Sequence, residues 1–472
     1  MSSIPHDDPV ERMLDLIEST RHDALPAGAI EAAKVFLQDT AGVALAGALA
    51  PKLPELCRVA EDWDGRPASG VPIWNVGQRA SAPTAALING YQCHALEYDC
   101  VYEPGVILPT PPIMSALFVK AWQLEQTGRT VSGEALIRAF VLALEVSCTL
   151  ADAAKSSMFF FRPATTGVFS ALTALCCLDP LPREQMRYAF GIGYSQMCGT
   201  MQAHEEGSMM LAMQMGFAAR NAVQAHAMAR AGITAPVELL GGRFGFYTVF
   251  EHEHALPEAL QRIGDPWKVT RLSHKPFPSG RVTHGVVHAL RQLRLARGWQ
   301  PDRIDSLIDT VRVELPPLGF RLTGRPTITD PPPNYARLCI PFVAAAELLT
   351  ERMDPTTFRP EVLGDVAIEA LARRVETSEV PHPDPNAFYP QRLIIRMHDG
   401  EAIEQDIPFA WGHPELPLDE RARADKFGLC ARLASAPGDG DERREAFERW
   451  MNRLEGATHC RPLLDLLEGN AR

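Results

Sequence analysis

The 472-residue sequence lacks the short motifs of several large enzyme classes. It contains no phosphate-binding loop, no G-x-G-x-x-G, no H-E-x-x-H and no G-x-S-x-G. These absences argue against nucleotide-dependent enzymes, common zinc hydrolases and α/β-hydrolases, because each class uses its motif to hold a phosphate, a metal or a nucleophile. The ten cysteines include no C-x-x-C pair. We therefore expect free, mostly buried thiols rather than a zinc site or a disulfide framework.

Basic charge and long apolar runs are also scarce. There are 46 lysines and arginines against 58 acidic residues, a net charge of -12. Nucleic-acid binding needs a basic surface, so we expect no nucleic-acid partner. The most apolar stretch, residues 134–154, contains Arg138, Glu145 and Asp152, which favours a buried helix over a membrane span. The N-terminal residues lack the basic and apolar regions of a signal peptide, and this predicts a cytoplasmic protein.

Helical spacing of apolar residues dominates residues 1–270. Alanine-rich residues 81–97 and methionine-rich residues 209–231 predict long helices that pack closely through small side chains. Residues 183–201 continue the pattern. The methionines predict core packing rather than a cofactor site.

The pattern changes in residues 271–407. Residues 308–315 alternate apolar and polar side chains, which predicts a half-buried strand. Residues 392–407 contain an Asp-Gly turn between two such runs and predict a hairpin. Residues 340–351 and 360–375 predict helices between these strands. Polar, amphipathic helices return in residues 408–472.

Three polar clusters are candidates for a functional site. The first, NGYQCHALEYDCVYEP, places His94 and Glu97 three residues apart, so they share one face of a helix that leads to Asp99. A capped, hydrogen-bonded helix end would show the same pattern. The second cluster, QAHEEGS, contains His204.

The third cluster, SHKPFPSGRVTH, brings Lys275, Arg281 and His284 to a turn where the sequence pattern changes. Ligand sites favour such junctions between domains. Lysine and arginine there would bind or polarise a carboxylate. A solvated basic loop is the alternative explanation.

These clusters, in this order, resemble the MmgE/PrpD family, whose members include 2-methylcitrate dehydratase, cis-aconitate decarboxylase and an iminodisuccinate epimerase. ALINGYQCHALEYDC is similar to the family motif N-G-x-x-x-H-x-x-D-[FY]-D-D, RPATTGVFSALTAL to its H-P-[PT]-x-x-x-G-x-[FL], and KPFPSGRVTH to its K-[PR]-[FY]-P. The resemblance runs over nearly the whole chain. It implies a mainly α fold in which residues 1–270 and 408–472 form a large all-helical domain and residues 271–407 a smaller α+β lid domain. It also implies a homodimer and no cofactor.

Several positions depart from the family pattern. Asp99 and Lys275 are kept. The substituted positions are Leu108, Arg162 and Gln214 in place of His, Leu211 in place of Lys, and Cys100 in place of Asp. Leucine neither moves protons nor binds a carboxylate. We therefore expect a cleft less polar than is usual in the family, and a substrate with one or two carboxylates plus a neutral or apolar group.

The resemblance implies a cofactor-free lyase or isomerase, of the dehydratase, decarboxylase or epimerase type, acting alpha to a carboxyl or carbonyl group of a small organic acid. Such chemistry needs proton transfer and cations that stabilise an enolate. The candidates are Asp99, Lys275, Tyr102 and His204 for catalysis, and Arg162, Gln214, Leu108, Leu211, Arg281 and His284 for substrate binding, with no metal ligand.

We expect Asp99, Arg162, Gln214 and Lys275 to line one cleft between the domains. Two other functions stay open. A catalytically silent paralogue would bind a small acid as a sensor or partner subunit, and a structural scaffold would need no ligand.

Overall fold

A computed structural model describes residues 8–436 and 439–469 of the chain. Residues 8–270 contain eleven α-helices and one short hairpin. The helices are α1 (Pro9–Ser19), α2 (Ala27–Ala46), α3 (Leu53–Asp64), α4 (Ala82–His94), α5 (Thr110–Gln126), α6 (Gly133–Ala153), α7 (Arg162–Leu178), α8 (Arg183–Ser195), α9 (Gln202–Glu205), α10 (Met210–Arg230) and α11 (Leu256–Gln261), and the hairpin strands are β1 (Val71–Ile73) and β2 (Gln78–Ala80).

Small residues set the spacing of the central helices. Gly90 of α4 and Gly216 of α10 face each other, and a Cβ on Gly90 would lie 2.8 Å from the Cα of Gly216. A Cβ on Gly216 would lie 2.1 Å from the carbonyl oxygen of Leu87. Only glycine permits this approach, which fixes α4 against the bundle interior. The last residue of α4 is His94.

The second region combines helices with a mixed sheet. Its strands run in the order β4-β3-β5-β6, with β3 parallel to β4, antiparallel to β5, and β5 antiparallel to β6. The elements are α12 (Thr283–Arg297), α13 (Ile304–Leu307), β3 (Ile308–Leu315), α14 (Pro317–Thr323), α15 (Pro333–Arg337), α16 (Ile340–Thr350), α17 (Pro360–Leu363), α18 (Val366–Ala372), β4 (Val375–Glu379), β5 (Gln391–Met397) and β6 (Ala402–Ile407). The mainly α class predicted from the sequence is confirmed.

The structure corrects several predicted elements. The helix expected over residues 360–375 is broken, because the Asp365 carboxylate caps a new helix at its first turn and Val375 pairs in β4. The helix expected over residues 183–201 ends at Ser195. The first region is not entirely helical, because β1 and β2 pair in an antiparallel hairpin too short to show a periodic pattern.

The C-terminal helices, α19 (Glu420–Leu433), α20 (Asp439–Met451) and α21 (Arg461–Glu468), pack on the first region. Phe427, Phe447 and Leu467 belong to the same apolar cluster as the N-terminal helices. A separate apolar cluster fills the region of the mixed sheet. These contacts support the proposed division into a large helical domain and a smaller lid, whose boundaries stay a prediction.

Two further observations concern the state of the cysteines and the apolar character of the helices. All ten cysteines are free thiols, and only Cys198 is exposed. Across the described ranges, no helix combines the length and the apolar character needed to cross a membrane.

A buried ion pair holds α19 against α2. Lys426 Nζ lies 2.8 Å from Asp39 Oδ1 and donates to the Tyr98 carbonyl oxygen at 2.9 Å. Lys426→Met leaves the Asp39 carboxylate buried without its cation, and we expect a loss of about 3–5 kcal/mol in the free energy of unfolding.

Arg421→Met on the same helix is the matched control, because the Arg421–Asp425 pair is exposed. Its effect should stay below about 1 kcal/mol. Chemical denaturation measures both variants, and adding Asp39→Asn to Lys426→Met should recover part of the loss. Equal, small effects of the two single substitutions would show that the buried pair does not anchor α19.

Candidate active site

The end of α4 turns sharply and gathers three ionisable side chains. The helix ends at His94. Glu97 adopts a φ of 52°, in the left-handed backbone region that residues other than glycine rarely occupy. The Glu97 amide donates to the His94 carbonyl oxygen at 2.9 Å. The turn therefore brings Glu97 and Asp99 back around the imidazole. Such local strain is frequent at functional sites.

His94 lies between two carboxylates. Its Nδ1 is 2.9 Å from Asp99 Oδ1, and its Nε2 is 3.2 Å from Glu97 Oε1. The contact at Nε2 lacks hydrogen-bond geometry, so this nitrogen has no hydrogen-bond partner among the described residues. The imidazole is only 1% exposed. Asp99 thus orients the ring and leaves the Nε2 proton for another acceptor.

Lys275 completes the group. Its Nζ donates to Glu97 Oε2 at 2.8 Å and to the Glu97 carbonyl oxygen at 3.2 Å. Two backbone hydrogen bonds between Val101 and Ser273 hold the lysine segment beside the α4 turn. We call Asp99, His94, Glu97 and Lys275 the charge cluster. With His94 protonated, it holds two positive and two negative charges.

Each member of the charge cluster sets the protonation of its neighbours. Burial alone would lower the pKa of His94, but the charges of Asp99 and Glu97 outweigh it and raise this pKa to about 10. Burial alone would raise the pKa of Glu97, but Lys275 and His94 hold it well below its usual range. At neutral pH His94 is therefore an imidazolium, and Glu97 is a weakly basic carboxylate.

Three of the four members of the charge cluster form one wall of a small cavity. His94, Glu97 and Lys275 line this cavity, which has a volume of about 70 Å³. Most of the remaining lining is apolar and includes Leu108, Met158, Phe161, Leu211, Leu322 and Leu338. Both substituted leucines, Leu108 and Leu211, thus lie in the cavity wall. Within the described ranges, no three His, Cys, Asp or Glu side chains are placed to hold a metal ion.

Two further predicted residues line the cavity, His204 and Arg281. The Arg281 guanidinium donates to Glu103 Oε1 at 2.7 Å and to the carbonyl oxygens of His274, Ala410 and Trp411 at 3.1, 3.3 and 2.8 Å. These bonds tie the loop before α12 to the segment after β6. Arg281 therefore braces the cavity wall rather than offering donors to a substrate.

Arg162 lies outside the cavity and binds a carboxylate of the protein itself. Its Nε and Nη2 donate to the two oxygens of Glu251 at 2.8 and 2.9 Å, and its Nη1 donates to the Gly105 carbonyl oxygen at 3.1 Å. The expected bidentate clamp exists, but Glu251 occupies it. No local pattern marks this pairing, since the two residues lie 89 positions apart in the sequence.

Three other predicted residues also have structural partners. Gln214 exchanges two hydrogen bonds with the backbone of Thr200. The Tyr102 hydroxyl donates to Asp152 Oδ2 at 2.9 Å. His284 is buried against Phe277, with its Nε2 3.1 Å from the Ser279 carbonyl oxygen.

The four residues expected in one cleft are therefore not brought together. Only Lys275 of these four lines the cavity. Asp99 lies behind the cavity wall and contacts the lining residue His94. His94 and Glu97 belong to the first polar cluster of the sequence, but the sequence analysis assigned neither of them a catalytic or substrate-binding role. Their shared helix face and the histidine of the family motif were the signals that supported such a role.

The raised pKa of His94 predicts how stability depends on pH. A group whose pKa rises on folding stabilises the protein fully below its unfolded pKa of about 6.5, and this contribution disappears as the pH rises towards 10. We expect His94→Gln to remove this dependence. The difference in unfolding free energy between wild type and variant should shrink by up to about 1.4 kcal/mol per pH unit across that window.

His226→Gln is the matched control, because burial lowers the pKa of His226 to about 4. Its contribution falls only as the pH drops below about 6.5. Denaturation series from pH 5 to pH 9.5 compare the three proteins. A His94→Gln profile parallel to wild type above pH 7 would contradict a protonated His94.

Comparison with known proteins gives matches along most of the chain. Residues 11–258 match the family model of the MmgE/PrpD N-terminal domain, and residues 277–452 match that of the MmgE/PrpD C-terminal domain. Cis-aconitate decarboxylase from Aspergillus terreus is 25% identical over 471 residues, covering 94% of this chain and 93% of that protein. Cis-aconitate decarboxylase from Aspergillus terreus strain NIH 2624 / FGSC A1156 is 25% identical over 468 residues, with the same coverage of 94% and 93%. At the level of the family, these matches indicate lyase chemistry of the dehydratase or decarboxylase type. The chain belongs to the MmgE/PrpD family.

Proposed function

We propose that the protein is a cofactor-free lyase that decarboxylates a small organic acid carrying one or two carboxylates and an apolar remainder. The observation that supports this most is the position of two cationic proton donors, His94 and Lys275, in the wall of a small and largely apolar cavity. The decarboxylase relatives support the same reaction class. The cavity also counts against a purely structural scaffold.

The proposed reaction exchanges carbon dioxide for a proton. The bond between the leaving carboxylate and its carbon breaks, and the electron pair stays on that carbon, conjugated with a neighbouring unsaturated or carbonyl group. Lys275 stabilises the developing negative charge. The Nε2–H of His94 then protonates the carbon, and water restores the imidazolium. The apolar lining favours the step, because it solvates neutral carbon dioxide better than a carboxylate.

Protonation suits this cavity better than proton abstraction. Dehydration and epimerisation at a carbon alpha to a carboxyl need a base whose pKa lies near the working pH. The charge cluster holds the pKa of Glu97 well below its usual range, and His94 is already protonated. Decarboxylation needs only the acid that His94 supplies.

One observation favours a second candidate, a silent paralogue that binds a small acid without turnover. Lys275 and Arg281 are each paired with a carboxylate of the protein, Glu97 and Glu103. The substituted positions Leu108 and Leu211 also lack the ionisable side chains of the family pattern. Kinetics separates this candidate from the lyase. The homodimer and the cytoplasmic location stay predictions from the sequence.

Turnover assays in deuterated water test the proposal. The substrates are cis-aconitate, 2-methylcitrate and a panel of smaller unsaturated or keto mono- and dicarboxylates. We expect a smaller acid to release carbon dioxide and to gain one deuteron at the carbon that lost its carboxylate. Lys275→Met and His94→Gln should lower kcat/KM by about 10²–10³-fold, the usual loss for one catalytic donor.

Lys155→Met is the matched control, because Lys155 is exposed and lies outside the cavity, and its activity should equal wild type. Release of water instead of carbon dioxide would contradict the decarboxylase proposal and identify the protein as a dehydratase. Tight binding without turnover would establish the silent paralogue. Efficient turnover of 2-methylcitrate would contradict the expected preference for acids with fewer carboxylates.

A further inference from the structure

We propose that His204 and Arg325 recognise a carboxylate group of the ligand, with the neutral imidazole of His204 donating its Nε2–H and Arg325 fixing that tautomer from behind. This inference rests on the proposed function for the choice of a small acid as ligand. It assigns a role to Arg325, which has no counterpart among the predicted site residues. It also changes the predicted role of His204 from proton transfer to hydrogen-bond donation.

The contacts of Arg325 determine which nitrogen of His204 carries the proton. Arg325 Nη2 lies 3.2 Å from His204 Nδ1 and donates to the His204 carbonyl oxygen at 3.0 Å. A guanidinium only donates hydrogen bonds, so Nδ1 must be the unprotonated acceptor. The proton of a neutral imidazole then resides on Nε2.

That Nε2–H has no hydrogen-bond partner in the described part of the chain. His204 is 4% exposed and lines the cavity that contains Lys275. The Leu322 carbonyl lies near the ring but outside hydrogen-bond geometry. A buried donor without a partner is costly unless a ligand satisfies it. A carboxylate oxygen in the cavity would do so.

Electrostatics keep the ring neutral. Burial lowers the pKa of His204 to about 3, and the positive charge of Arg325 adds to this effect. His204 is therefore a poor proton carrier at physiological pH. It is a fixed N–H donor, polarised by the guanidinium bound to its other nitrogen.

Arg325 also brings a positive charge that has no ion-pair partner in the described part of the chain, since Glu205 and Glu97 act on it only from beyond 4.0 Å. Lys275, His94 and Arg281 each have a carboxylate within 4.0 Å, whereas Arg325 has none among the described residues. Its buried Nη1 finds no hydrogen-bond partner in residues 8–436 and 439–469, and its guanidinium stacks on Tyr335 at 4.8 Å. A ligand carboxylate at His204 would offset this charge. The charge cluster on the same cavity would then face the reacting end of the molecule.

The backbone holds this pair in place. Gly207 has a φ of 64°, and a Cβ there would lie 3.0 Å from Tyr335 Cβ. The turn that carries His204 therefore sits directly on the segment that carries Arg325 and Tyr335. A side chain at position 207 would separate His204 from Arg325.

Two measurements on the full-length protein test the pair. First, ¹⁵N NMR of histidine-labelled protein should show His204 as the Nε2–H tautomer in wild type and in Arg325→Lys. Arg325→Met removes the hydrogen bond to His204 Nδ1, and a mixture of tautomers is expected. Second, calorimetry compares butyrate with the neutral isostere butyramide. Arg325→Met and His204→Phe should weaken butyrate binding by about tenfold or more and leave butyramide binding within about twofold.

Arg303→Met is the matched control, because Arg303 is exposed and does not line the cavity. It should bind both compounds as wild type does. Equal loss of both compounds in Arg325→Met would show a structural role. An Nδ1–H tautomer in wild type would contradict the proposed role of Arg325. Unchanged butyrate affinity in both Arg325→Met and His204→Phe would contradict carboxylate recognition by this pair. Neither readout needs turnover, so a failed decarboxylation assay leaves this test intact.

Discussion

Four ionised groups buried inside one protein are tolerable only if they compensate one another, and the site of this molecule depends on that compensation. His94 sits between Asp99 and Glu97, and Lys275 reaches Glu97 from a segment 178 residues further along the chain. Removing any one member would leave an unbalanced charge inside the protein. The left-handed turn at Glu97 and the glycine contact between α4 and α10 both place the members at these distances. Geometry and protonation are therefore fixed together.

The same compensation explains how an apolar cavity can still do chemistry. An isolated cation in such surroundings would lose its proton. Here the adjacent carboxylates retain the proton on His94, and Leu108 and Leu211 make the neighbouring part of the cavity wall apolar. A substrate carboxylate that enters loses its hydration and meets donors instead. The proposed decarboxylation therefore depends on a protonated His94 beside an apolar cavity lining.

Local pattern predicted much of the fold but less of the site. The strand at residues 308–315 and the Asp-Gly hairpin were visible because alternation and turn chemistry act over a few residues. The pairing of Arg162 with Glu251 could not be predicted, because Glu251 is distant in sequence and no local pattern marks it. Arg325 was missed for the same reason. Lys275, Leu108, Leu211 and His204 do line the cavity, whereas Asp99, Gln214, Tyr102 and His284 do not.

The charge state of His94 tests this account most directly. In ¹⁵N NMR spectra of histidine-labelled protein at pH 8, assigned with His94→Gln, both ring nitrogens of His94 should carry protons. Burial alone would lower the pKa of His94, but the charges of Asp99 and Glu97 outweigh it and raise this pKa to about 10. A neutral imidazole at pH 8, with a single protonated nitrogen, would contradict the charge cluster as the acid of this site.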